Sequence, residues 1–451
     1  MARPVTSDKR NPRALPLSLR ERVGVRGVLL ATVILLFALL ASAGEQRLSN
    51  GLLVVIEPRP TAETVAICLL IAGGDVAEPP GKTGVARLHA SLLLRGTRER
   101  TGFALARAAE ELGGRLNSYS RAFKESISLS LPAESAEDAL RLVAEVFLEP
   151  RLDAADLEKE KNLLSSSLAT DRDEPSVFRQ DEVYRTLFGS HPLRRLALPR
   201  NEDVQAVQIG DIREFDQSRR DARRLALLIV GNCDEKRLTS LAEGLLGKIP
   251  AGVGQTAGLS PNWAPPASLA ADVSRHVSKR STQPEISVAL PTAGISDAET
   301  PAYDLLRHIL GGFQERLYDE IREKRGWAYW VTAEGLSIPG AGYFSVTTGA
   351  HKEHLSEIEQ IIRGELKRMA SAPVSAEEQT RAARYLRTEE ARRDATNAGR
   401  ISVIAEELVA GSPPRTYAER VARLEAVTPA QIQALAHRLF AGKHVAVVTM
   451  Y

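Results

Sequence analysis

Residues 84–97 read Gly84-Val-Ala-Arg87-Leu-His89-Ala90-Ser91-Leu-Leu-Leu-Arg95-Gly96-Thr97, and the fold turns on this stretch. Ala86, Leu88, Leu92 and Leu93 recur at helical spacing, and Gly96 stands where a helix would stop. Upstream, Pro79-Pro80-Gly81 and Gly73-Gly74 separate this helix from two runs rich in Val, Ile and Leu, 47–58 (turning at Gly51) and 64–72, which read as strands. Downstream, a helix over 103–112 ends at Gly113-Gly114, a fitting C-terminal stop. Strands follow over 115–121 and 125–131, then helices over 135–147 and 154–170. Residues 186–199 read as loop, 201–220 as helix, 224–230 as a nearly continuous apolar strand suited to burial on both faces, and 235–246 as a closing helix.

Beyond residue 250 periodicity disappears and Gly, Pro, Ser and Thr accumulate, which marks 251–272 as a linker. The second half then replays the first. A strand over 285–290 precedes a helix over 300–325, interrupted at Gly311-Gly312. Strands over 328–335 and 342–348, helices over 354–370, 375–395, 401–410 and 428–439, and a last strand over 445–450 complete it. A repeat of roughly 200 residues is too long for a solenoid. It predicts two homologous α+β domains, 44–250 and 273–451.

The chain has 451 residues, more than one ordinary core holds, with 43% apolar and 26% charged residues, as in a globular protein. Residues 28–43 are mostly apolar, follow Arg20, Arg22 and Arg26, and end Ala41-Ser42-Ala43. That is the layout of a secretory signal, so 1–43 is expected to direct export, to the periplasm or its equivalent, or to remain as a membrane anchor if uncleaved. The leader carries seven Lys/Arg and two Asp/Glu. Without it, 52 basic and 55 acidic residues remain, a formal charge of −3 that offers no nucleic-acid surface. Cys68 and Cys233 fit no metal spacing, and the sequence leaves open whether they pair.

The frame of residues 84–97 resembles the signature helix of the M16 metallopeptidases, the family of pitrilysin, insulinase and the mitochondrial processing peptidase. That helix reads Gly-x-Ala-His-x-x-Glu-His-x-x-x-x-Gly-Thr. The glycine, the alanine and the Gly-Thr are present, but Arg87 stands for the first His, Ala90 for the Glu and Ser91 for the second His. Two His at i and i+4 share a zinc ion and the Glu accepts a proton from its water. An arginine cannot lose its charge to become a ligand, and an alanine carries no base. His89 lies off the family's register, and its i±4 neighbours are Val85 and Leu93, which suits a structural role. The family's third ligand is a Glu on a later helix. Here the corresponding run is Glu160-Lys-Asn-Leu-Leu-Ser-Ser-Ser167, followed by Asp173-Glu174-Pro175, with Ser167 at the ligand position, 76 residues after Ser91. Glu160 matches the family, or is merely a solvated helix charge. His351 and His354, the one close His pair, read as a polar helix start.

In the second half, Glu315-Arg-Leu-Tyr-Asp-Glu-Ile-Arg322-Glu-Lys-Arg-Gly326-Trp-Ala-Tyr329 is similar to the family's second-domain motif, Arg-x₆-Tyr. The resemblance implies that Arg322 and Tyr329 hold a peptide beside a zinc ion. Arginine supplies a fork of donors and tyrosine a phenolic one, able to stabilise an oxyanion. The plain alternatives are an ion pair of Arg322 with Asp319, and strand packing of Tyr329 beside Trp327 and Trp330. Asn117 and Ser118 resemble the family's substrate-edge strand, where an extended peptide adds to the sheet. Together these imply a non-catalytic subunit of a two-chain peptidase, with no zinc of its own and a zinc-bearing sibling as partner. The alternative is an exported peptide-binding or scaffold protein.

Overall fold

The computed structural model describes residues 44–252, 259–261, 263–279 and 283–451. The leader and part of the linker lie outside the described residues. Two sheets carry the architecture. In the first, β1 (Gly44–Arg47), β2 (Leu53–Pro58), β3 (Thr64–Ala72), β4 (Asn117–Arg121), β5 (Lys124–Pro132) and β6 (Leu225–Gly231) lie in the order β1-β2-β6-β3-β5-β4. Only β2 and β6 run parallel. Alternate residues of β3 face opposite sides. Ile67 and Leu69 meet α3 (Ala136–Leu148) and α8 (Glu235–Leu246), while Ala66, Cys68 and Leu70 face the other way. With both faces covered, the central strands are apolar without alternation.

The second sheet orders β7 (Val273–Val277), β8 (Glu285–Thr292), β9 (Ala328–Ile338), β10 (Ala341–Ala350) and β11 (Ala446–Met450) as β7-β11-β8-β10-β9. Its outer face packs on α9 (Thr300–Gly311), α11 (Leu355–Ser371) and α15 (Pro429–Phe440) through Leu306, Ile309, Ile358, Ile362 and Leu435. The fold is thus α+β, as the sequence predicted. The helix expected over 300–325 breaks after Gly311 and resumes as a short helix α10 (Arg316–Tyr318) and a π-helical turn, Asp319–Glu323.

Each half lends the other a helix. From the first half, α5 (Pro175–Phe188) lays Val183, Leu187 and Phe188 on Ala289, Tyr343 and Val448 of the second sheet. From the second, α13 (Asn397–Val409) lays Ile401, Ile404, Ala405 and Leu408 on the inner face of the first sheet. Residues 43–451 accordingly form one compact unit. The loop predicted from residue 186 is overturned in its first residues, because α5 runs to Phe188. Arg179, Asp181 and Glu182 on its buried face conceal its amphipathic pattern. Cys68 is buried, Cys233 half-buried, and both are free thiols.

Candidate functional site

Helix α1 (Val85–Leu93) starts at Gly84, whose φ of 100° is a left-handed conformation costly for other residues. The buried Glu78 folds back over this end, and its Oε1 accepts from the amides of Gly84 at 2.9 Å and Ala86 at 3.1 Å. It satisfies two of the donors a helix N-terminus leaves free. Burial, then the nearby charge of Asp75, pushes the Glu78 carboxyl up to about 8.

The positions matching the zinc ligands are otherwise engaged. Arg87 pairs with the buried Asp75 at 3.2 Å, and Asp75 accepts from Ser120 Oγ at 2.8 Å. Ala90 is buried and Ser91 is half-buried. Helix α4 (Ala154–Asp173) packs on α1 through Leu157 and Leu168, but Ser167 is exposed. Glu160 is not a solvated charge. It is buried and bonded to Arg95 at the end of the α1 turn. Zinc does not fit this set: one fixed cation, one methyl group and two hydroxyls replace three ligands and a base. Among the described residues, no group of three or more His, Cys, Asp or Glu is arranged to hold a metal ion.

His89 occupies the centre instead. It is fully buried, with Nδ1 2.6 Å from Glu125 on β5 and Nε2 3.3 Å from Asp216 on α7 (Ile209–Arg219). Both ring nitrogens are engaged, so neither is left for a metal. Burial alone would lower the affinity of His89 for a proton. The charge of Glu125 and the bonds to Asp216 and Glu125 outweigh it and push the imidazole up to about 9. Phe215 meets the ring edge-on at 5.5 Å and carries Arg219 on its own face at 4.5 Å. Asp216 is shared with Arg220 at 2.9 Å. The result is a charged pin joining α1, β5 and α7 where a metal helix would otherwise be cross-linked through its ion.

The second-half motif is exposed. Gly326, at φ 68°, ends the π-helical turn and sends the chain into β9, which lies at the edge of its sheet. Tyr329 is 78% exposed there. Arg322 lies over the Tyr318 ring at 4.9 Å, bonds to the Tyr318 hydroxyl and donates to the Tyr329 carbonyl at 2.9 Å. Arg322 pairs with Glu323 at 3.7 Å rather than with Asp319, which pairs with Lys324 at 2.9 Å, and Tyr329 is exposed rather than packed away beside Trp327 and Trp330. Trp327 stacks on His354 at 4.4 Å. The sequence reading missed Tyr318, although it lies one helical turn before Arg322. Nearby, exposed Phe313 meets Tyr318 at 4.9 Å. In the first half, Asn117 and Ser118 lie on β4, the other end strand of a sheet. Asn117 is exposed and its amide caps the Arg115 carbonyl at 3.0 Å, while the buried Ser118 Oγ has no partner among the described residues.

Comparison with known proteins agrees with this fold. Residues 53–199 match the family described as Insulinase (Peptidase family M16), and residues 206–386 match Peptidase M16 inactive domain. An uncharacterized zinc protease of Streptomyces coelicolor is 24% identical over 396 residues, covering 86% of this chain and 85% of that protein. One from Mycobacterium leprae is 27% identical over 341 residues, 75% of this chain and 76% of the other. Among solved structures, the peptidase M16 inactive domain from Pseudomonas fluorescens superposes with a TM-score of 0.81 at 20% identity, covering 91% of this chain and 97% of that one. A protease from Helicobacter pylori gives 0.82 at 15% identity, covering 91% and 99%. The two matched stretches lie end to end over most of the chain, and the chain belongs to peptidase family M16.

Proposed function

We propose that this M16 chain is the zinc-less subunit of an exported two-chain peptidase, supplying Arg322 and Tyr329 to a zinc-bearing sibling. The observation that carries the reading is a contrast. The metal helix is rebuilt around Arg87 and buried His89, while the Arg-x₆-Tyr pair stands exposed on an edge strand with its guanidinium already oriented by Tyr318. In this role Arg322 and the Tyr329 hydroxyl donate to the peptide carbonyl as it gains negative charge, so they act mainly on the transition state. The edge strand β4, with Asn117 and Ser118, would hold the extended peptide through its backbone.

Alone, the purified chain is expected to hold no stoichiometric zinc and to cleave no peptide. With a sibling bearing His-x-x-Glu-His, Tyr329→Phe should lower kcat by about 10²–10³, the loss typical of one oxyanion donor, while the complex still forms. A kcat within about twofold of wild type would remove this role from Tyr329. Failure to recover any metallopeptidase partner from the native host would favour a peptide-binding protein using the β4 edge alone.

A further inference from the structure

A cavity of about 600 Å³ lies between the two halves, within the size range of small-molecule sites. The hairpin tip 121–124 of the first sheet forms one side. Tyr303 and Arg307 of α9, Leu336 of β9, and charged faces of α12 (Ala376–Asp394) and α13 form the other. No residue of α1 lines it, nor does Arg322 or Tyr329, so a ligand held in this cavity is independent of the peptidase reading.

The acids of the cavity each have a partner. Asp297 holds Arg423 at 3.2 Å and also Arg415, Glu390 accepts from Arg420 at 2.6 Å, Asp304 accepts from Arg307 at 3.3 Å, Glu389 accepts from Arg392 at 2.8 Å, and Glu406 pairs with Arg393, while Glu407 accepts from the Arg415 amide at 3.1 Å and burial pushes its carboxyl up to about 7. The bases are not all committed. Arg307 Nε is buried and has no partner among the described residues, which is destabilising for a charged donor. Arg121 and Lys124 likewise make no side-chain ion pair among the described residues. The uncommitted polar groups are therefore cationic, and the wall around them is apolar, with Phe123, Ile295, Leu336 and Val403.

We propose that this cavity binds an apolar carboxylate, its anionic end received by Arg307 Nε and the Arg121/Lys124 hairpin and its hydrocarbon laid against Phe123 and Leu336. Both a fatty acid and the free C-terminus of an apolar peptide have this chemistry. Isothermal titration of the full chain with dodecanoate and with N-acetyl-trileucine, each beside its neutral primary amide, separates the two sources. At least one carboxylate should bind with one-to-one stoichiometry, and its amide at least about tenfold more weakly, because the amide lacks the charge-assisted bond. Arg307→Lys keeps a cation for Asp304 but removes the Nε donor, and should weaken binding at least about tenfold. Leu336→Trp fills the cavity and should abolish it. If Leu336→Trp fails to fold by circular dichroism, the Arg307→Lys result decides. No binding of either carboxylate up to about 1 mM, equal binding of acid and amide, or an Arg307→Lys Kd within about twofold of wild type would each overturn the proposal.

Discussion

His89 shows how a single buried residue can fasten three elements together. As an imidazolium it donates one N–H to each of two carboxylates on separate elements, so α1 is fastened to β5 and α7 by charge. The folded imidazole titrates at about 9, above its usual value of about 6.5. The folded state therefore binds the proton more tightly than the unfolded chain. The stability this adds is fully present below about pH 6.5 and is lost as pH rises through about 9. Urea unfolding should show this loss, on the order of 3 kcal/mol for a shift of this size, and His89→Gln should remove its share of the slope in that window, leaving the share of Glu78 and Glu407, which are held up at about 8 and about 7. A wild-type stability that is flat between pH 6.5 and 9 would show that the pin is uncharged. The sequence identified His89 as structural from its apolar i±4 neighbours. It could not supply the partners, because Glu125 is 36 residues away and Asp216 is 127, and only the sheet and α7 bring them together. Tyr318 was readable, one turn before Arg322, whereas the exposure of Tyr329 depends on β9 being an edge strand.

At the scale of the element, α1 keeps the architecture of a metal helix without its ligands. Gly96 illustrates the retained part. It sits at φ 136°, and a Cβ there would lie 2.6 Å from the Arg100 carbonyl oxygen. The adjacent Thr97 Oγ1 donates to Glu145 at 2.6 Å and accepts from the amide of Arg100 at 3.0 Å. Gly96→Ala should therefore cost about 1–3 kcal/mol of stability in urea unfolding, as residues forced into sparse backbone regions do. The lost part can be tested by restoring it. The variant Arg87→His, Ala90→Glu, Ser91→His, Ser167→Glu puts a carboxylate into a buried methyl site and removes the partner of Asp75. Without metal it should melt well below wild type, since buried unpaired carboxylates are costly. If the backbone of α1 and α4 still has the metal geometry, zinc should raise its Tm by mass action while leaving wild type unchanged. Equal responses of the two proteins to zinc would show that the geometry itself has been lost. The elements most legible in the sequence were the apolar strands. Helix α5 was not, because its buried face carries Asp181, which accepts from Arg185 and from the Leu198 amide, and Arg179 and Glu182, whose partners lie in the other half.

Those partners make the two halves one molecule. Arg179 is buried on α5 and donates to Glu285 at 2.7 Å and Ser287 at 2.7 Å on β8, and to Thr347 at 3.3 Å on β10. In return, α13 covers the inner face of the first sheet, with Cys68 beneath it. Neither sheet can bury both of its faces without the other half's helix, so the halves should unfold together rather than in sequence. The chain carries its own probes for this. All three tryptophans, Trp263, Trp327 and Trp330, lie beyond residue 250, and Trp263 packs on Phe123 and His191, so their fluorescence reports the second half and its seam with the first. Cys68 reports the first, and burial pushes its thiol up to about 12, so it should react with a thiol reagent only once α13 has left the sheet. In a Cys233→Ser background, Cys68 labelling and tryptophan fluorescence should give the same urea midpoint. Arg179→Ala leaves Glu285 buried without its cation and should lower both midpoints equally, by about 3–5 kcal/mol of stability. If Cys68 became reactive at a lower urea concentration than the tryptophan transition, α13 would be detaching from a first half that no longer depends on it. The interlocked helices would then be an attachment between two domains rather than a shared core.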